Sequence, residues 1–260
     1  QTMMFFLLSV IFRLKGIRMI YVLHNKISHS KRRLFLKRFI SHYLIKHSYR
    51  ILTHASDGVE FVNDISRRDK DVFYFPHPVK EIKSSPGIVK TIDVLIWGII
   101  APYKGVDRFV SQLAAHENGR TWNVVIAGKV AGDDYLDVLL RSKPGNVRII
   151  NEYIKEEELD KLIRASRIVL FPYHKDSVLS SGAFARTFVF PVAIIGPDCG
   201  SFRDFSDLPG VFVFRDEFEI IPLIEKVLSS GLVINPGHSD VIIKKYSWEM
   251  FGEEFERNLS

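Results

Sequence analysis

The sequence predicts an α/β fold of parallel sheets covered by helices on both faces, in two parts joined by a polar segment. Three observations predict it. From residue 91 onward, short and nearly continuous apolar runs alternate with segments of helical spacing. Strands that read apolar throughout are buried on both faces, the mark of a parallel sheet. Residues 80–90, KEIKSSPGIVK, interrupt the pattern with Ser, Pro and Gly and read as an interdomain linker. Ahead of them the same alternation runs on a smaller scale. The expected division is 1–80, a linker at 81–90, then 91–240, and a last helical segment at 241–260.

The 260 residues suffice for one large domain or two ordinary ones, and 47% hydrophobic with 25% charged residues excludes a disordered chain. A single cysteine, Cys199, excludes an internal disulfide framework and fits a reducing compartment. No Cys/His cluster has zinc spacing. The net charge of +6 is unevenly spread: residues 1–56 carry eleven Lys/Arg and no acid, and the remainder carries 25 Lys/Arg against 30 Asp/Glu. A basic block interleaved with Phe, Leu, Ile and Tyr suits anionic lipid headgroups or nucleic acid, or is a solvated helix face.

Residues 3–12 are apolar, but a spanning helix needs roughly 20 such residues. Their charges follow the apolar run, unlike those of a signal peptide. A buried or interfacial helix over 3–15, stopped by Gly16, is expected. The chain opens inside this helix with no initiator Met and no preceding strand, so an N-terminal truncation is expected. Residues 18–23 (RMIYVL) read as a strand ending at His24-Asn25. Ser30 then caps a helix over 31–48, with Leu34, Phe35, Phe39, Tyr43 and Leu44 at helical spacing. Strands at 50–53 and 72–75 flank a short helix at 57–63. Beyond the linker, strands at 91–97, 123–127, 147–150, 168–171, 191–195 and 211–214 alternate with helices at 106–115, 135–141, 156–165, 181–188 and 218–229. An amphipathic helix over 246–259 closes the chain.

The candidate chemistry lies at strand C-termini, which in open α/β sheets face one edge and bind ligands there. The first strand after the linker ends at Gly98, and Lys104 stands just before the next helix, where a lysine can meet a phosphate as a point charge. Gly128-Lys129 repeats the pattern, Asn151-Glu152-Tyr153 follows the third strand, and residues 176–182 (DSVLSSG) follow the fourth. The hydroxyl-rich helix start at Ser180-Ser181-Gly182 either seats an anion or is an ordinary N-cap. Neither GxxxxGK[ST] nor GxGxxG is present, which disfavours a P-loop enzyme and a dinucleotide-dependent dehydrogenase.

These residues carry a resemblance. Gly98 to Asp107 resembles the GxLxxxKGxD motif of the GT-B, family-4-like ("group 1") glycosyltransferases. Val125 to Gly128, Glu157 to Pro172, Phe190-Pro191-Val192 with Gly200, His24-Asn25 with His29, and Tyr246-Ser247-Trp248-Glu249 resemble further segments of that family. The match is closest from Ile92 to Gly200 and looser before Lys80. The resemblance implies two Rossmann-like domains. The N-terminal, acceptor-side domain would lack about a hundred residues, 91–240 would bind the nucleotide sugar, and the C-terminal helix would cross back to the first domain.

The implied activity moves a sugar from a nucleoside-diphosphate sugar (UDP- or GDP-linked) to an acceptor hydroxyl, a lipid-linked or surface-polysaccharide precursor, with retention of configuration and no required cofactor or metal. Lys104 and the N–H groups at Ser181-Gly182 would stabilise the departing diphosphate. Asp176 would hold sugar hydroxyls, Tyr153 would face the base, and His24 would stand across the cleft near the transferred sugar. Gly98, Gly128, Lys129 and Ser180 complete the implied donor set. His29, His42, His47 and His54 are left as surface or packing residues.

The chain departs from the family pattern at two places. The paired glutamates of the family fall on Asp176 and Phe184, so a ribose-binding carboxylate is missing, and the arginine that often precedes the lysine is Ile99. The implied location is cytoplasmic and peripheral at the inner membrane face, docked by the basic block. The alternative is a degenerate module that binds nucleotide sugars without turning them over. Nucleic-acid binding lacks any recognised motif.

Overall fold

A computed structural model of the chain describes residues 2–26, 34–66, 71–82, 88–175, 178–235 and 237–259. Two parallel sheets organise it. The first is built from β1 (Ile20–Leu23), β2 (Arg50–Thr53) and β3 (Val72–Tyr74), in the order β1-β2-β3, with Ile20 opposite Arg50 and Ile51 opposite Val72. Its strands alternate with α1 (Thr2–Leu14), α2 (Leu34–His47) and α3 (Ser56–Ser66).

The second sheet has six strands: β4 (Ile92–Trp97), β5 (Val124–Ala127), β6 (Val147–Ile150), β7 (Ser166–Leu170), β8 (Ala193–Pro197) and β9 (Val211–Phe214). Their order is β6-β5-β4-β7-β8-β9, with β4 and β7 at the centre. Alternation along the strands separates two cores. Val94, Ile96, Val124, Ile126, Ile168 and Leu170 face one side, against α4 (Val106–Ala115), α5 (Asp133–Ser142) and α9 (Ile220–Ser229). Leu95, Val125 and Val169 face the other, against α6 (Glu156–Arg164), α7 (Gly182–Phe188) and α8 (Gly200–Asp204). Both faces are covered, which is why these strands are apolar throughout.

After α10 (His238–Tyr246), the last helix, α11 (Trp248–Leu259), lays Met250, Phe251 and Phe255 on Leu52, Phe73 and Phe75 of the first sheet. Two carboxylates join the sheets further. Asp57 at the start of α3 accepts from the Gly200 N–H at 3.1 Å and from Arg203 Nη1 at 3.0 Å. Asp204 at the end of α8 accepts from the Ser56 N–H at 2.9 Å and from the Tyr74 hydroxyl at 3.0 Å.

Several elements differ from expectation. Of the buried and interfacial readings of the first helix, the buried one does not hold: Met4, Leu7, Leu8, Ile11 and Phe12 are exposed, and it packs on α2 through Phe6 against Phe39 and Tyr43. The helix expected at 57–63 runs on to Ser66. Two helices were not anticipated. The five residues of α8 are too few to show a period, and α10 has three consecutive apolar residues, Val241 to Ile243, of which only Ile242 is buried. The Ser30 cap expected for α2 lies outside the described residues.

Candidate functional site

The six-stranded sheet brings its strand ends together through glycine. At the end of β4, Gly98 has φ +104°, and at the end of β5, Gly128 has φ +145°. The Gly98 N–H donates to Ala127 O at 3.0 Å and the Gly128 N–H to Ile150 O at 2.9 Å. A Cβ on Gly128 would fall on the Gly98 carbonyl oxygen, so no other residue fits there without moving the strand end.

Beyond Gly98 the loop makes a 3₁₀ turn, Pro102–Lys104, and Gly105 (φ +69°) links it to α4. The turn folds Lys104 inward. Its side chain leaves the residue only 7% exposed, with Nζ 5.2 Å from the centre of the Tyr173 ring. Among the described residues no carboxylate pairs with it. Burial lowers its pKa from 10.5 to about 8, since desolvation penalises the ammonium.

Lys104 opens onto a cleft of about 510 Å³ whose floor includes Gly98, Gly128, Lys129 and Tyr153. Its opposite wall is Ala183 and Arg186 of α7. Arg186 is held by Glu156 at 3.2 Å and by Asp160, and Trp97 Nε1 donates to the Thr187 hydroxyl at 3.0 Å, fixing that face of α7 against the end of β4. Positions 183, 186 and 187 lie on one side of the helix. Four cations, Lys80, Lys104, Lys129 and Arg186, and two carboxylates, Glu152 and Glu156, line this concavity at the C-terminal edge of a parallel sheet, a place where such sheets take ligands.

Of the residues singled out in sequence, Gly98, Lys104, Gly128, Lys129 and Tyr153 share this cleft, and Tyr153 is 85% exposed. Ser181 is the N-cap of α7: its hydroxyl accepts from the Phe184 N–H at 3.2 Å and hydrogen-bonds the Tyr173 hydroxyl. Tyr173 thereby links Ser181 to Lys104. Ser180 is half-buried and the Gly182 backbone is exposed beside it. Asp176 and His29 lie outside the described residues.

His24 stands elsewhere, exposed at the end of β1, with its ring 6.1 Å from that of His54. His54 is a packing residue, but a buried one. Its Nδ1 donates to Phe75 O at 2.8 Å, and burial, with His77 and His24 nearby, holds its pKa below the ordinary value. Phe184 does not face the cleft at all. It is 2% exposed and packs against Phe188, Phe202 and Phe205, so its position could not present a carboxylate to a ligand in that cleft.

Sequence reasoning missed Arg186 and the imidazole row His24–His54–His77. Each histidine lies one to three residues beyond a strand end, and it is the pairing of the three strands that makes them neighbours. Among the described residues no group of His, Cys, Asp or Glu is placed to hold a metal ion.

The sequence matches no family model and no curated protein. Solved structures do match it. Anabaena HepE, solved in complex with UDP, superposes with a TM-score of 0.80 at 11% identity, over 100% of this chain and 76% of that one. Sucrose-phosphate synthase from Thermosynechococcus elongatus gives 0.75 at 11% identity, over 95% and 70%. AviGT4, a glycosyltransferase involved in avilamycin A biosynthesis, gives 0.59 at 12% identity, over 85% and 78%. At these identities the likeness speaks for the architecture: this chain has the GT-B fold of those proteins.

Proposed function

We propose that the cleft binds a nucleoside-diphosphate sugar and that the protein transfers the sugar to an acceptor hydroxyl. The observation that carries this is Lys104, a buried ammonium without a counter-ion among the described residues, opening onto the cleft. A buried charge is costly unless paired, and a diphosphate supplies the missing partner. In the transfer, negative charge grows on the departing diphosphate, and a preformed cation in a low-dielectric wall stabilises it. Lys129 and the backbone at Ser180-Ser181-Gly182 assist, and Gly98 and Gly128 let the phosphates approach the backbone. Tyr153 offers a face to the base, while Asp176 and His24 act on the transferred sugar. The resemblance supports retention of configuration. HepE, which shares the fold, was solved with UDP, which favours UDP over GDP as the first donor to test.

The acceptor reading follows the basic block. The first helix exposes Met4, Leu7 and Ile11 ahead of Arg13 and Lys15, and α2 exposes Phe35 and Phe39 beside Arg38. An apolar face bordered by cations suits an anionic bilayer, where each basic residue contributes about 1 kcal/mol. We place the protein at the inner face of the cytoplasmic membrane, acting on a lipid-linked or surface-polysaccharide precursor. No helix among the described residues is long and apolar enough to cross a membrane. Co-sedimentation with phosphatidylglycerol vesicles, reversed by salt, tests the docking.

The α7 wall of the cleft, Ala183 and Arg186, offers no carboxylate to a ribose, which favours a second reading, a binding module without turnover. Thermal shift with UDP and GDP, beside hydrolysis of UDP-glucose, separates the two. A nucleotide-dependent rise in Tm that Lys104→Ala abolishes supports the site, and release of glucose supports the enzyme. An unchanged rise in Lys104→Ala would sink the assignment.

A further inference from the structure

The three strands of the first sheet each deliver a histidine to the same C-terminal edge: His24 after β1, His54 after β2, and His77 beyond β3. The rings form a row, 6.1 Å from His24 to His54 and 5.3 Å from His54 to His77. His77 is the member that meets the second sheet. A Cβ added at Gly182 would lie 3.6 Å from His77 Nε2, and Gly182 immediately precedes Ala183 in the wall of the Lys104 cleft.

The tautomer of His77 follows from its hydrogen bond. Nδ1 lies 3.1 Å from Pro78 O, and a carbonyl oxygen only accepts, so Nδ1 is the donor. In that tautomer the imidazole presents a lone pair at Nε2. Its orientation is fixed by His54 on one side and by the Trp248 ring, 6.4 Å away and edge-on, on another. A lone pair at Nε2 repels a phosphate oxygen and accepts from a hydroxyl. The chemistry it selects is therefore that of a sugar, not that of the diphosphate seated by Lys104.

We propose that His77 is a specificity-determining residue that accepts a hydrogen bond from a hydroxyl of the donor sugar at the Gly182 end of the cleft. The proposal rests on the cleft being a nucleotide-sugar site. His77 and Lys104 then divide the ligand between the two sheets, hydroxyl to one and phosphate to the other.

Calorimetric titration of UDP and UDP-glucose, and of GDP and GDP-mannose, into wild type, His77→Ala and His77→Gln tests this. His77→Ala should weaken a bound nucleotide sugar by about 3- to 10-fold, the size of one neutral hydrogen bond, and leave the parent nucleotide unchanged. His77→Gln, whose amide oxygen can accept, should recover part of the loss. Equal weakening of nucleotide and nucleotide sugar, or no weakening of either, overturns the role of His77 while leaving the Lys104 site standing. Failure of wild type to bind any of the four overturns the site itself, and His77 with it.

Discussion

Lys104→Met replaces a buried ammonium by an apolar chain of similar length, and the structure sets the sign of its effect. In the unfolded chain the group titrates near 10.5, in the fold near 8. At pH 7 both states hold the proton, so the folded state bears the full desolvation cost. Two and a half pH units correspond to about 3 kcal/mol, an upper figure because relaxation and water penetration reduce the desolvation penalty of a real site. Methionine removes the charge, so the ligand-free variant should be more stable by about 1–3 kcal/mol. For a chain of this size each kcal/mol moves Tm by roughly 2–4 °C.

Stability of wild type should rise from pH 8 to about 10.5, where the unfolded chain binds a proton that the folded chain has released; the variant should lack that rise. UDP binding by wild type should weaken as pH passes 8, since the neutral amine no longer attracts the diphosphate. Differential scanning calorimetry with and without UDP reads all three. A Lys104→Met protein that melts lower than wild type without ligand, or that keeps the UDP-dependent shift, would refute the account of Lys104 as a ligand-directed buried charge.

Other expectations follow from the same geometry. Phe184→Glu should not create a ribose ligand; it buries a carboxylate among Phe188, Phe202 and Phe205 and should cost more than about 4 kcal/mol by chemical denaturation. Gly128→Ala should shift the β5 end off the Gly98 carbonyl and weaken UDP binding at least about 10-fold, because strained or displaced backbone at a phosphate seat costs 1–3 kcal/mol. Asp204→Ala leaves the Ser56 N–H and Tyr74 hydroxyl without their acceptor and should lower stability by about 2 kcal/mol. The buried, neutral His54 has a pKa below 6.5, so stability should fall as pH drops below that value and the unfolded chain takes up the proton; His54→Asn should flatten that limb in urea titrations.

What could be read in the sequence was local. The strands at 147–150 and 211–214 and the helix at 106–115 match their expected bounds because their patterning is confined to a few residues between clear breaks. The cleft residues Gly98, Lys104, Gly128, Lys129 and Tyr153 were legible for a related reason: parallel strands send their C-termini to one edge, so consecutive strand ends must meet. The orientation of α7 was not legible. Counting along the chain put Phe184 in the place of a ligand carboxylate, but a seven-residue helix has its rotation set by what packs on it. Here that is Phe202 of α8 and Phe205 just beyond it, both later in the chain. The imidazole row was hidden likewise, since three histidines spread over residues 24–77 become neighbours only once β1, β2 and β3 pair in order.

Under the proposed function, that row divides the recognition of the ligand between the two sheets. The six-stranded edge brings Lys104 and Lys129 to the cleft, while Arg186 there is paired with Glu156 and Asp160. The three-stranded edge offers imidazoles, of which His54 is held neutral by burial. A nucleotide sugar has the matching division, an anionic diphosphate joined to a neutral, hydroxyl-rich ring. Such a ligand is read correctly only if the two edges keep a fixed separation. Asp57 and Asp204 supply that constraint: each takes hydrogen bonds from the other half of the molecule, and both sit within the α3–α8 contact. Loosening that contact should therefore affect discrimination between nucleotide and nucleotide sugar more than affinity for the nucleotide, because Lys104 and the glycine floor belong to one sheet while His77 belongs to the other.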